Sequence, residues 1–219
     1  MSTLKSGIVI TTLETLSQKL CPTDYIDRYS LSLCVGQTLE IEPFVDRLIK
    51  IGYRRVSTVM EQGEFSIKGA LIDLYPMGTK YPYRIDLFDN EIDSIRTFKA
   101  STQRSIEVIN KIKLLPAREF ASDNESISTF KSNYLSEFGN TDGFIYNEVS
   151  EGRFPGGIEF YLPLFFDKTN TLFDFLNTEP IVVYQKGLSE VMKNQSHELL
   201  ERYEPVSYTH LRAHETKAN

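Results

Sequence analysis

Between Glu64 and Phe98 the chain alternates apolar and polar side chains with a period of two, the pattern of extended strands that bury one face. Phe65 and Ile67 fall on one side of the first run, and Glu64, Ser66 and Lys68 on the other. After Gly69 the apolar set moves by one position, to Ala70, Ile72 and Leu74, with Asp73 on the polar side. A one-residue shift at a glycine reads as a β-bulge within one strand over 64–74. Pro76-Met77-Gly78 breaks that strand. In the next, Tyr83, Ile85 and Leu87 share one side while Arg84, Asp86 and Phe88 share the other, and a turn at Asp89-Asn90 leads into a third strand over 92–98. Three strands joined by short polar turns predict an antiparallel sheet.

The flanking pattern supplies the rest of the fold. Phe44, Val45, Leu48 and Ile49 form a stripe at helical spacing, with Pro43 in the first turn and Gly52 as the stop, so a helix over 43–51 is the natural cover for the apolar face of the sheet. Residues 6–12 and 180–184 read as β-branched strands, 31–35 as a short apolar piece, 54–60 as a strand and 112–115 as a strand. Helical spacing predicts helices over 13–20, 104–111, 126–138 (Ser126 as N-cap), 171–176 and 188–202. The aromatic run Phe154 to Phe166 requires burial. The fold class is therefore α/β (α+β): an antiparallel-sheet module with a covering helix, set between two parts of an interrupted α/β domain. The expected boundaries are 1–36 and 116–205 for the interrupted domain and 37–115 for the insert.

Composition narrows function. A net charge of −6 argues against a broad nucleic-acid surface, which needs clustered Lys and Arg. Cys21 and Cys34 are too few and too widely spaced for a metal knuckle or a disulfide framework. No apolar run approaches the roughly 20 residues of a membrane span, so a cytoplasmic protein with no membrane partner is expected. The chain carries no GxxxxGK[ST] phosphate loop, no GxGxxG after a strand and no GxSxG elbow, and no catalytic residue, cofactor or metal ligand is assigned. Asp86, Asp89, Glu91 and Asp93 offer oxygen ligands for magnesium or, as an alternative, the solvated face and turn of a hairpin. His210 and His214 have the i, i+4 spacing of a zinc half-site, but VSYTHLRAHET (206–216) resembles a translated sequencing adaptor, and 206–219 is given no function.

The candidate site is a docking surface. Lys68, Arg84 and Phe88 fall on the polar side of the strand pattern, and an exposed arginine beside an aromatic ring has the chemistry of an interface anchor. Alternation alone leaves a second reading open, in which Phe88 is covered by a neighbouring element.

Several strings carry a resemblance: GYRRVSTVMEQGEF, KGALIDLYPMGTKYPYRIDLFDNEIDSIRTF, QRS, LLPAREF and GGIEFYLPLFF. They resemble the amino-terminal region of the bacterial transcription-repair coupling factors (Mfd), over a stretch from about Gly7 to Glu204. The resemblance implies a structural copy of the front of UvrB, with an inserted domain that docks UvrA and so brings excision repair to a stalled RNA polymerase. The implied UvrA contacts fall on Lys68, Arg84 and Phe88; Lys68 departs from the family's arginine, keeping the charge and losing the bidentate fork. Domains of the parent that bind RNA polymerase and translocate on DNA with ATP would follow this segment, and the first strands of the α/β domain would precede Met1. No catalysis is expected from this polypeptide. The alternatives are a piece of UvrB itself, whose chains are richer in arginine where this one reads RRVSTVMEQGEFSIKG, and a small metal-dependent enzyme built on the acidic hairpin.

Overall fold

The computed structural model describes residues 7–176, 179–195 and 197. These divide into two compact units: one runs from Gln18 to Phe175, and the other is formed by the described residues before Gln18 and from Leu176 onward. The smaller unit contains helix α1 (Leu13–Ser17) and a helical stretch over 188–195. The strands expected at 6–12 and 180–184 do not appear: 7–12 and 179–185 have no regular structure, and Ile10 and Ile181 are exposed. A β-branched run becomes a strand only when a neighbour takes up its backbone hydrogen bonds, and neither run has one among the described residues. The predicted histidine pair and the tail lie outside the described residues.

The larger unit opens with α2 (Thr23–Tyr29), β1 (Leu31–Cys34) and α3 (Ile41–Lys50). Next come β2 (Arg54–Arg55), β3 (Glu64–Lys68), β4 (Leu71–Tyr75), β5 (Tyr83–Phe88), β6 (Glu91–Phe98) and β7 (Ser105–Ile109), which form one six-stranded sheet in sequence order. Every neighbouring pair is antiparallel except the short β2–β3 pair. β8 (Lys111–Leu114) leaves that sheet and pairs antiparallel with β1. The expected architecture of an antiparallel sheet under a covering helix is present.

Where the sequence reading and the structure differ, local chemistry gives the reason. Gly69 is not a bulge inside one strand but the first residue of a two-residue hairpin turn, with φ +62°, joining β3 to β4. A glycine at that position relieves the strain of a left-handed backbone. The bulges fall elsewhere, between Asp86 and Leu87 on the β5–β6 pair and between Arg96 and Phe98 on β6–β7. The segment 104–111, expected as a helix, is mostly strand β7, because the free edge of β6 captures its Ile and Val residues. Only Arg54 and Arg55 of the expected strand 54–60 pair, because the Glu64 carboxylate accepts the Met60 and Glu61 amides at 2.9 and 3.0 Å and folds the segment back.

The buried stripe is Phe44 and Leu48 of α3 with Ile51 at its C-cap, while Ile49 is 50% exposed. Three- and four-residue steps place those three on one face, against Ile72, Leu74, Ile85, Leu87, Ile92 and Ile95 of the sheet and Leu31, Leu33, Ile112 and Leu114 of the β1–β8 pair. Glu42 in the first turn and Arg47 and Lys50 in the last complement the helix dipole. Gly52 ends the helix with φ +92°, and a Cβ there would lie 2.5 Å from Cγ of Arg118.

Beyond the sheet, α4 (Asn124–Phe138), α5 (Phe144–Ser150) and the 3-10 helices η1 (Ile158–Phe165) and η2 (Leu172–Phe175) complete the unit. The aromatic run expected to be buried packs Ile158, Leu162 and Phe165 against Phe120, Phe130, Tyr134 and Val149, although Phe160 is exposed. Pro163 lies inside η1, where it has no N–H to continue an α-helix. The cap of α4 is Asp123, not Ser126: Oδ1 of Asp123 accepts the Ser126 amide at 2.9 Å.

Asp123 also ties three elements together. Its Oδ2 meets Lys50 Nζ of α3 at 2.8 Å and accepts the Tyr29 hydroxyl of α2 at 3.2 Å. Burial alone would raise this carboxyl, but the Lys50 ammonium and the Ser126 amide outweigh it and hold the group at about 2. A carboxyl depressed in the folded state stabilises the fold above its unfolded value near 4, and that contribution disappears as pH falls toward 2. Asp123→Ala is expected to cost about 2 kcal/mol at pH 7. In urea unfolding the gap from the wild-type chain should close as pH drops from about 5 to about 2; a gap independent of pH would refute the assignment.

Candidate docking face

Residues paired across an antiparallel sheet share a face, so the register fixes the surface opposite α3. One row across it runs Ser66, Asp73, Arg84, Arg96 and Val108, and the next runs Lys68, Leu71, Asp86 and Ser94. Phe88 stands two residues beyond Asp86, opposite Glu91 at the turn into β6. Lys68, Arg84 and Phe88 are therefore brought to one face. The strand between Lys68 and β5 is β4, so Lys68 and Arg84 belong to different rows and to strands that are not neighbours. At about 3.3 Å per residue, Arg84 and Phe88 lie roughly 13 Å apart along β5.

The three residues differ in environment. Phe88 is 74% exposed, and no neighbouring element covers it among the described residues. Lys68 is exposed at the end of β3. Arg84 is not free. Its Nε and Nη2 fork onto the two carboxylate oxygens of Asp73 at 2.7 and 2.9 Å, and Nη1 donates to the Gln103 carbonyl at 3.1 Å. The guanidinium lies over the Phe98 ring, 4.7 Å from its centroid. The side chains of Arg84 and Asp73 are only 18% and 4% exposed. A fork of this kind fixes orientation as well as energy, and the ring beneath adds cation–π attraction.

Alternation placed Asp73 on the polar side, but pairing partners were invisible before the register was known. Phe98 and Gln103 are the residues sequence reasoning missed. Phe98 is fully buried although it lies outside the core under α3. Gln103, with φ +58°, donates from Nε2 to the carbonyls of Val59 at 3.1 Å and Ala100 at 2.7 Å while its own carbonyl accepts from Arg84. Glutamine in a left-handed turn is uncommon enough to signal a fixed loop, but the sequence does not display φ.

The acidic residues weighed as metal ligands are placed otherwise. Asp86 is engaged by Arg96 and by the Ser94 hydroxyl, and Asp89, Glu91 and Asp93 are exposed along the hairpin. Among the described residues no group of three or more His, Cys, Asp or Glu side chains is arranged to hold a metal ion. None of the described helices is long and apolar enough to cross a membrane.

Residues 31–120, which hold the sheet and both loops of this face, match the family of the UvrB interaction domain. Similarity to known proteins extends past that domain. The transcription-repair-coupling factor of Haemophilus influenzae is 42% identical over 182 residues, covering 82% of this chain. Those of Escherichia coli and Rickettsia bellii are 37% and 32% identical over 93% and 87% of it. The chain belongs to the transcription-repair-coupling factor family. It spans 16%, 18% and 17% of the length of those three coupling factors.

In this coupling-factor segment the roof over one end of the face depends on Glu64. That carboxylate is 6% exposed, pairs with Arg54 at 2.6 Å and takes the amides of the loop that carries Val59. Burial pushes the Glu64 carboxyl up, but those amides and Arg54 reverse the direction and leave it lowered. Glu64→Ala orphans two amides and is expected to cost about 2 kcal/mol. Amide exchange at Met60 and Glu61 should accelerate while the β5–β6 hairpin stays protected. Uniform acceleration of both would show that the roof has no local anchor.

Proposed function

We propose that this segment is a UvrA-docking module, with residues 37–115 as the module and Lys68, Arg84 and Phe88 as its contacts. The interrupted α/β domain (1–36 and 116–205) frames it. The observation that carries this reading is Phe88: an aromatic side chain 74% exposed on a rigid strand, on the same face as an arginine already held by a fork. Interfaces concentrate their energy in aromatic and arginine anchors with little conformational freedom left to lose. Similarity to the UvrB interaction domain supports UvrA as the partner. The coupling-factor relatives favour that parent over UvrB itself. In the parent, this recruitment links a stalled RNA polymerase to nucleotide excision repair, and polymerase and DNA are engaged by domains outside this chain. The segment acts in the cytoplasm by binding, not by catalysis, and uses no cofactor.

Isothermal titration of the full chain with purified UvrA tests the reading. Arg84→Ala and Phe88→Ala should each cost roughly 2 kcal/mol or more. Lys68→Ala removes a surface charge that has no ion-pair partner among the described residues, and its smaller effect, about 0.5–1 kcal/mol, should fade as salt rises. Wild-type affinity in both the Arg84 and Phe88 variants, with unfolding midpoints unchanged, would overturn the assignment.

A further inference from the structure

The Arg84 fork says how the contact works, on the reading that this face docks UvrA. A guanidinium has five N–H donors. Two point at Asp73 and one at the Gln103 carbonyl, which leaves two for a partner. Asp73 is almost wholly buried and lies directly opposite Arg84 in the β4–β5 register, so the backbone sets the pair. Phe98 supports the underside of the guanidinium, and Gln103 closes it from the β6–β7 loop. A carboxylate this close also cancels the charge of the arginine at a distance.

We infer that Asp73 is a positioning residue for the UvrA contact: it holds Arg84 in one orientation, and Arg84 meets an acceptor oxygen on the partner through the two remaining N–H bonds, not as a free charge. Lys68, which has no such partner among the described residues, supplies the long-range attraction instead. Of the cations on the face, where Arg96 is paired with Asp86, Arg84 and Lys68 thus divide the work. One aligns the complex and the other draws it together, and they should respond differently to salt.

The test is a double-mutant cycle in the full chain, titrated with UvrA at about 50 and about 500 mM salt. Arg84→Ala should weaken binding roughly thirtyfold, by nearly the same factor at both salt concentrations. Asp73→Asn keeps the shape of the side chain and should weaken binding about tenfold. The double variant should bind no more weakly than Arg84→Ala alone. Asp73→Asn at wild-type affinity beside a weakened Arg84→Ala, or losses that multiply in the double variant, would overturn the inference and leave the docking reading intact. Wild-type affinity in Arg84→Ala and Phe88→Ala would remove the docking reading itself. Arg84→Lys guards against a misfolded Asp73 variant. It keeps the charge, cannot form the fork, and should bind as weakly as Arg84→Ala; full affinity in Arg84→Lys would refute positioning.

Discussion

The register of β4 against β5 is the constraint on which both the core and the face proposed for docking depend. Ile72 opposite Ile85 and Asp73 opposite Arg84 are consecutive pairs of one ladder. Successive residues point to opposite sides, so a slip of one position would carry Arg84, Asp86 and Phe88 under α3 and expose Ile85 and Leu87. Burying two charges and exposing two aliphatic side chains costs far more than the few kcal/mol that separate folded from unfolded chains. The apolar sandwich and the charged face are therefore one decision. The sheet cannot form its core without presenting the same outward set.

That coupling explains how much was legible from residues alone. Alternation in 64–68 and 83–88 was enough to put Lys68, and Arg84 with Phe88, on the polar side of their own strands, and the helical stripe from Phe44 was enough to supply the cover, because both signals are local. What failed was whatever depends on which group a backbone or side chain pairs with. Residues 104–111 have spacing compatible with a helix, and only the free edge of β6 makes them a strand. The run 54–60 is β-rich in composition, yet a carboxylate at Glu64 claims its amides. Gly69 marked a phase change correctly, but a phase change cannot distinguish a bulge from a two-residue hairpin, since both reverse the parity of the side chains. The cap of α4 fell to Asp123 instead of Ser126 because the carboxylate is also recruited by Lys50 and Tyr29, more than 70 and 90 residues away in sequence.

The face itself is less exposed than an alternation argument implies. An isolated arginine on a strand is a mobile cation whose ordering on binding costs side-chain entropy, whereas Arg84 has already lost that freedom to Asp73, Phe98 and Gln103. In the proposed contact Phe88 contributes differently: its exposed ring would gain from desolvation, and its short side chain has few rotamers to lose. A surface built this way needs no large area to be selective, because its few anchors are fixed in relation to one another by the sheet.

The loops at the far end of the face share in that fixation. Gln103 binds the carbonyls of Val59 and Ala100 with one amide and Arg84 with its own carbonyl, so the 56–61 and 99–104 segments and the β5 arginine form a single hydrogen-bonded body. Phe98, like Val59, is fully buried there outside the core under α3, on what would otherwise be a solvated side of the sheet. Its burial is the reason the arginine can be half-buried without leaving its charge uncompensated: the ring below excludes water and the carboxylate beside it supplies the counter-charge. Removing either support would return Arg84 to solvent as a mobile cation with its geometry lost, and loss of the Asp73 carboxylate would also leave its charge uncompensated.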